Sequence, residues 1–199
     1  MKKKSIQASI FLIVMLFLIS ISAYSQNNAN IKDKCIIVLD VQNYSTLNSK
    51  IPSQELIENI NSIIEKTDSD NIVYIKTLHK VLYLTLKGFS AGVDTLGMEL
   101  DNRLNVVNNN IVLKHDKNAF AEKELTDFLQ KNNFKDVVII GLMAEWCVKE
   151  SLIGGNDLGY NMYFVPEAII GKSEKNKEKI LSKLMEKGIK QLSINELIK

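Results

Sequence analysis

The sequence is poor in cysteine, with only Cys35 and Cys147 among its 199 residues. A single disulfide between them is the alternative to two free thiols in an oxidising compartment. Cys35 begins an apolar strand-like run, whereas Cys147 follows the end of another, so the two would lie at different levels of a sheet. We therefore expect no disulfide, and we expect Cys35 to be an ordinary small residue of the core.

The sequence also lacks an apolar run of the length that a membrane span needs, about 20 residues. The run at residues 10–19 follows the lysines of residues 2–4 and precedes Ala23-Tyr24-Ser25, which is the pattern of a secretory signal peptide. We predict that residues 1–25 are removed near Gln26 and that the chain is exported, to the periplasm or as a secreted protein. A retained anchor is the alternative, and the absence of a cysteine directly after the apolar run argues against lipidation.

A strong excess of positive charge is missing as well. The formal net charge is +2, and removal of the three leader lysines changes it to −1. We expect no nucleic-acid partner, because such binding depends on clustered basic residues. Residues 26–199 contain no internal repeat, and their length fits one domain with a sizeable core.

Apolar strand-like runs alternate with helical patterns along the chain. Buried strands separated by helices predict an α/β domain, a three-layer αβα sandwich around a six-stranded, mostly parallel, Rossmann-like sheet. Residues 78–110 contain three glycines and show no clear period, so we expect a long loop with short helical turns that forms one wall of the site. The predicted strands are residues 35–39, 71–77, 111–114, 136–141, 162–165 and 191–193.

Three residues with reactive side chains stand where predicted strands end. They are Asp40, Lys114 and Cys147. The carboxyl ends of the strands in an open parallel sheet form the crevice where ligands bind, so an acid, an amine and a thiol would converge there. One charge at a strand end is usually a solvated loop residue, but this ordered set has the layout of a cysteine hydrolase.

The segments around these residues resemble the isochorismatase-like cysteine hydrolases, which include nicotinamidases and N-carbamoylsarcosine amidases. Residues 35–43, Cys-Ile-Ile-Val-Leu-Asp-Val-Gln-Asn, are similar to the family's opening strand with its catalytic acid. Lys114 with Asn118-Ala-Phe120 resembles the lysine motif, and residues 141–148, Gly-Leu-Met-Ala-Glu-Trp-Cys-Val, resemble the nucleophile segment. The resemblance spans nearly the whole predicted mature chain.

The resemblance implies a catalytic triad of Asp40, Lys114 and Cys147. Cys147 would be the nucleophile at the start of a predicted helix, whose positive end, together with Lys114, would favour the thiolate. Asp40 would take the thiol proton and return it to a leaving amine, and Lys114 would hold both partners in their charged forms. The family also implies a cis peptide bond between Leu142 and Met143 and an oxyanion hole of the Met143 and Cys147 backbone N–H groups.

The metal-binding pattern of nicotinamidases is incomplete in this chain. Where those enzymes carry Asp-x-His after the second strand, the sequence has Thr77-Leu-His79, and its only other histidine is His115. Since a catalytic metal site normally has three protein ligands, we expect no metal and no other cofactor. His79 would then lie in the pocket wall or on the surface.

Five residues are candidates for the substrate pocket: Gln42, Tyr44, His79, Phe120 and Trp146. Tyr44 and the serine after it replace an acidic-aromatic pair that is common in the family, so the pocket mouth would differ. Trp146, the only tryptophan, would either pack over a flat substrate or serve as a plain packing residue.

Together these features predict a metal-independent cysteine hydrolase of a small amide, ureido or vinyl-ether compound, with a thioester on Cys147 for amides. The alternatives are a nicotinamidase-type amidase, against which the incomplete metal pattern argues, and a catalytically silent binding protein, against which the retained triad argues. Export would make isochorismate a less suitable substrate, because the resemblance places its use in the cytoplasm. The expected partner is a small molecule, and homo-oligomerisation stays open because no segment predicts an interface.

Overall fold

The computed structural model of the chain describes residues 31–47, 53–78, 80–85, 88–93 and 98–198. The predicted signal peptide, residues 1–25, and the pocket candidate His79 lie outside the described residues. Within the described ranges, no helix is both long enough and apolar enough to cross a membrane.

The described residues form eight strands, six of which build one central sheet. They are β1 (Lys34–Leu39), β2 (Ile72–Thr77), β3 (Lys80–Thr85), β4 (Gly88–Val93), β5 (Ile111–Lys114), β6 (Asp136–Leu142), β7 (Asn161–Ile170) and β8 (Lys190–Gln191). The order in the central sheet is β5-β2-β1-β6-β7-β8, and every pair is parallel. The predicted six-stranded α/β sheet is therefore confirmed.

Helices cover both faces of this sheet and complete the three layers. They are α1 (Asn43–Leu47), α2 (Gln54–Ile64), α3 (Lys123–Lys131), α4 (Lys149–Asp157), α5 (Glu174–Met185) and α6 (Ile194–Leu197). Successive side chains of a strand point to opposite faces, so Ile37 packs with residues of α3, α4 and α5, whereas Ile36 packs with residues of α2 and α6. All of β1 is buried, as expected for a strand covered on both sides.

The segment 78–110 differs from the predicted loop with short helical turns. It contains β3 and β4, which pair antiparallel from Lys80 opposite Val93 to Thr85 opposite Gly88, in a separate two-stranded sheet. The physical reason lies in residues 80–85, where valine, leucine, tyrosine and threonine favour the extended conformation. Glycine is unfavourable in strands, so the glycines at Gly88 and Gly92 concealed the second strand from the sequence pattern.

Candidate active site

Asp40, Lys114 and Cys147 lie together at the carboxyl edge of the central sheet. Asp40 directly follows β1, Lys114 ends β5, and Cys147 lies in a helical turn shortly after β6. The Lys114 Nζ atom is 2.9 Å from Asp40 Oδ2 and 3.2 Å from Cys147 Sγ. The structure therefore brings together the acid, the amine and the thiol that stand where the predicted strands end.

The amine of Lys114 is the centre of this cluster. Its side chain is buried, and four acceptors surround Nζ: Asp40 Oδ2, Thr77 Oγ1, Cys147 Sγ and the backbone carbonyl of Asp116. An ammonium group has only three protons, so these four acceptors share them. A buried charge of this kind needs an opposite charge beside it, and the buried carboxylate of Asp40 supplies that charge.

The backbone at Asp40 turns out of the sheet as soon as β1 ends. Its φ angle is 58°, in the left-handed region that non-glycine residues seldom adopt and that aspartate tolerates better than most. The Asp40 N–H still donates to the Ile75 carbonyl of β2 at 3.0 Å, so the residue stays fixed to the neighbouring strand. Such left-handed residues are concentrated at functional sites.

The surroundings of Cys147 favour its protonated form. Burial, followed by the negative charge of Asp40, raises the pKa of the Cys147 thiol to about 11, and the opposing effect of Lys114 is smaller. The expectation that the surroundings of Cys147 favour the thiolate is therefore wrong, because burial and Asp40 outweigh Lys114. Cys147 does not begin its helix, because a π-helical turn, Ala144–Val148, precedes α4 and places the thiol beside Asp40.

The turn between β6 and this helical segment is closely packed against β1. The peptide bond between Leu142 and Met143 is cis. Gly141 has a φ angle of 120°, and a Cβ atom there would lie 2.1 Å from the carbonyl oxygen of Leu39. Only glycine fits this position, because the neighbouring atom belongs to the backbone of β1 and cannot rotate away.

The hydrogen bonds of the π-helical turn converge on one carbonyl. The Met143 oxygen accepts the N–H groups of Trp146, at 3.0 Å, and Val148, at 3.2 Å. Neither bond uses the N–H of Cys147, which lies between the two donors in the sequence. The oxyanion hole of the Met143 and Cys147 N–H groups stays a prediction.

Two of the pocket candidates are engaged inside the protein. Gln42 is fully buried, with Oε1 accepting the Thr77 N–H at 2.8 Å and Nε2 donating to the carbonyls of Thr77, at 3.2 Å, and Met98, at 2.9 Å. Phe120 is buried in the core and packs against Tyr160, with 5.5 Å between the ring centroids. The structure therefore does not support substrate contact by Gln42 or Phe120.

The candidates Tyr44 and Trp146 lie at the surface, with 48% and 45% of their area exposed. The ammonium of Lys172 lies 4.5 Å from the centre of the Trp146 ring, at cation–π distance. Both aromatic side chains are accessible to a ligand, so the prediction of a pocket role stays open for them.

The side chains at the strand ends do not fit a metal centre. Among the residues that the structure describes, no group of three or more His, Cys, Asp or Glu could hold a metal ion. His115 is exposed and lies 3.3 Å from Glu122, and Thr77 bonds to Asp40 and Lys114. The donor set therefore falls short of the three protein ligands of a usual catalytic metal site.

A cleft of about 930 Å³ opens between α2 and the end of β7, and Leu56, Asn59, Glu167 and Lys172 are among its lining residues. None of the three clustered reactive residues lines this cleft. We place the candidate site at the cluster, because catalysis depends on the reactive groups rather than on the volume of a cleft.

One member of the cluster, Thr77, was not predicted from the sequence. Thr77 ends β2, and its hydroxyl oxygen lies 2.7 Å from Asp40 Oδ1. The sequence contained one signal for it, since Thr77 stands at a strand end like Asp40 and Lys114. A threonine there carries no charge, however, and the neighbouring strands are known only from the sheet order.

Comparisons with known proteins identify the family of the chain. A sequence model of the isochorismatase domain matches residues 34–196. The chain is 27% identical over 149 residues to a secreted isochorismatase effector of Verticillium dahliae, which covers 72% of this chain and 75% of that protein.

Solved structures show the same fold. An isochorismatase-like hydrolase from Alkaliphilus metalliredigens has a TM-score of 0.68 at 20% identity, covering 83% of this chain and 96% of its own. The pyrazinamidase of Pyrococcus horikoshii in complex with zinc has a TM-score of 0.67 at 22% identity, covering 81% and 99%. Because the family model spans most of the sequence, the chain belongs to the isochorismatase-like hydrolase family.

Proposed function

We propose that the chain is a metal-independent cysteine hydrolase of a small amide, ureido or vinyl-ether compound, with Asp40, Lys114 and Cys147 as its catalytic residues. The observation that carries this proposal is the buried contact of Lys114 Nζ with both Asp40 Oδ2, at 2.9 Å, and Cys147 Sγ, at 3.2 Å. Burial of such charged groups costs free energy that a silent binding protein has no evident need to spend. We assign no step to a metal, because the described donors do not fit one.

For an amide, the reaction begins when Asp40 takes the proton of the Cys147 thiol. The sulfur attacks the carbonyl carbon, and an electron pair of the C=O bond moves to the oxygen, which becomes an oxyanion. When this intermediate collapses, the C–N bond breaks, the leaving amine takes the proton from Asp40, and a thioester remains on Cys147. Water then attacks the thioester and gives a proton to Asp40, which returns it to the departing sulfur as the acid is released.

Lys114 is the electrostatic partner throughout this cycle. Its ammonium contacts both places where negative charge resides, first the carboxylate of Asp40 and then the sulfur of Cys147. In a buried site such a contact is stronger than in water. We assign stabilisation of the oxyanion to the N–H groups of Met143, which precedes the π-helical turn, and Cys147, which lies within it.

Among these substrate classes, hydrolysis of a vinyl ether such as isochorismate is favoured by the secreted isochorismatase effector that is 27% identical to this chain. Because that relative is secreted, export of this chain is not a reason to exclude isochorismate as its substrate. Here a protonated Asp40 would give its proton to the vinyl carbon, water would add to the resulting oxocarbenium carbon, and the adduct would collapse to a ketone and an alcohol. No thioester forms, so this reaction needs Asp40 but does not need the sulfur of Cys147.

A substrate panel on three proteins separates these reactions. Wild type, Cys147→Ala and Asp40→Asn are assayed with nicotinamide, an N-carbamoyl amino acid and isochorismate. For amide or ureido hydrolysis we expect both variants to lose activity, by about 10²-fold or more for the acid–base residue. For vinyl-ether hydrolysis we expect only Asp40→Asn to lose it. Full activity of Asp40→Asn on any substrate contradicts the proposed triad.

We also propose that the chain is exported. The leader pattern of residues 1–25 and the secreted relative support this proposal. The test is to express the full-length chain in a bacterium, fractionate the cells and determine the N-terminus by mass spectrometry. A start near Gln26 in the periplasm or medium is expected, and an intact Met1 found only in the cytoplasm contradicts export.

A further inference from the structure

The hydroxyl of Thr77 lies between the acid and the amine of the triad. Thr77 ends β2, which is the strand between β1 and β5. Its Oγ1 atom donates to Asp40 Oδ1 at 2.7 Å and accepts from Lys114 Nζ. The Asp40 carboxylate is thereby held at both oxygens, by Thr77 at Oδ1 and by Lys114 at Oδ2.

The position of Thr77 is fixed by its backbone. Its N–H donates to Gln42 Oε1 and its carbonyl accepts from Gln42 Nε2, and the Gln42 side chain is fully buried. The parallel pairing with β5 places Thr77 directly beside Lys114. The hydroxyl is therefore held in place by the fold and does not depend on the triad for its position.

Thr77 also changes how the Lys114 protons are distributed. Three protons serve four acceptors, and the hydroxyl takes a share that otherwise goes to Asp40, to the Asp116 carbonyl and to the sulfur of Cys147. Without the hydroxyl, the N–H···S contact would strengthen and Asp40 Oδ1 would lose a donor. Both changes favour transfer of the thiol proton to Asp40, because one stabilises the thiolate and the other leaves the carboxylate more ready to accept a proton.

We propose that Thr77 is a positioning residue of the triad, whose hydroxyl fixes Asp40 against Lys114 and keeps the resting proton on the sulfur of Cys147. This inference rests on the proposed function of the triad. Its consequence is a nucleophile that stays protonated between turnovers. Because the thiolate is the form that oxidants attack, a protonated thiol is the safer resting state outside the cytoplasm.

Few titratable groups act on the Cys147 sulfur, so a change at Thr77 can be measured there. Asp40 from the end of β1 and Lys114 from the end of β5 are the charges that shift its ionisation. On the helical segment itself, Glu145 accepts the Lys172 N–H at 2.9 Å, and Lys149 pairs with its neighbour Glu150 at 2.8 Å. β2 contributes the uncharged hydroxyl of Thr77.

The test is the pH dependence of Cys147 alkylation by iodoacetamide, measured from pH 6 to 11 by mass spectrometry of the peptide that contains it. Cys35, which is fully buried, is the unreactive internal reference in the same chain. For Thr77→Val we expect the profile of alkylation rate against pH to move down by about one pH unit, so that alkylation at pH 8 is about tenfold faster. Thr77→Ser keeps the hydroxyl and is expected to follow the wild-type profile.

A Thr77→Val profile that coincides with the wild type, or moves up, overturns the inference, and so does an equal shift in Thr77→Ser. If circular dichroism shows that Thr77→Val does not fold, Thr77→Ala is compared with Thr77→Ser by the same criteria. Asp40→Asn and Lys114→Ala are measured in parallel. If these two leave the profile unchanged, the proposed triad fails, whereas if they move it and Thr77→Val does not, only the role of Thr77 fails.

Discussion

Replacement of Lys114 by methionine tests whether the buried ion pair is required for the fold as well as for the chemistry. Lys114 is fully buried and Asp40 is 6% exposed, so Lys114→Met leaves a carboxylate in the interior without its cation. Removal of one partner of a buried pair typically costs about 3–5 kcal/mol. Since domains are stable by about 5–15 kcal/mol, we expect the free energy of unfolding to fall by a large fraction.

The double variant Asp40→Asn/Lys114→Met removes both charges and is the matched control. Its carboxamide can still accept from Thr77, so we expect it to recover most of the loss and to lie within about 2 kcal/mol of the wild type. The measurement is urea unfolding at pH 7.5, followed by circular dichroism, with the slopes compared to exclude a change in the unfolded state. A loss under about 1 kcal/mol for Lys114→Met, or a double variant as unstable as the sum of its parts, would refute the reasoning.

Three further predictions concern the residues that hold the site. Gly141→Ala places a Cβ atom 2.1 Å from the Leu39 carbonyl oxygen, so we expect the free energy of unfolding in urea to fall by about 3 kcal/mol or more. The control is Gly159→Ala: Gly159 has a positive φ angle, but a Cβ atom there would have nothing within 4 Å, so this variant should lose only about 1–2 kcal/mol. Equal losses would show that backbone conformation alone explains the effect. Gln42→Leu removes three buried hydrogen bonds to backbone groups and should cost about 2–3 kcal/mol in the same assay, and a cost under about 0.5 kcal/mol would contradict a stabilising role of these bonds. The pKa of the Cys147 thiol is raised from 9.0 to about 11, so between these pH values the folded state holds a proton that the unfolded state has lost. Wild-type stability should therefore fall, relative to Cys147→Ser, as pH rises through this window; melting temperatures that stay parallel would contradict the raised pKa.

Much of the fold could be predicted because its signals are local in the sequence. The continuous burial of β1 corresponds to an uninterrupted apolar run, and all six strands of the central sheet lie at or beside their predicted positions. The β3–β4 hairpin was missed because Gly88 and Gly92 break the alternating pattern, while the pairing that stabilises them comes from the other strand. Local pattern cannot report a preference that arises only after two segments meet.

The candidate site, too, could be predicted only in part. Asp40, Lys114 and Cys147 were predicted because each carries a reactive group at the end of an apolar run. The high pKa of Cys147 was not predicted, since it depends on how deeply the thiol is buried and on how close Asp40 lies, neither of which the sequence contains.

The sheet order explains why the cation of this site has a long side chain and why a residue of β2 lies beside the ion pair. β5 and β1 are not neighbours, because β2 lies between them. Neighbouring strands are about 4.8 Å apart, so β5 and β1 are almost 10 Å from one another. A long side chain is therefore needed to carry positive charge from Lys114 to Asp40, and it has to cross the end of β2. Thr77 is paired with Lys114 at that end, so its hydroxyl meets the ammonium and the carboxylate on the same path. Any residue there would influence the ion pair, and a small hydroxyl side chain can both donate to the acid and accept from the amine without blocking their contact.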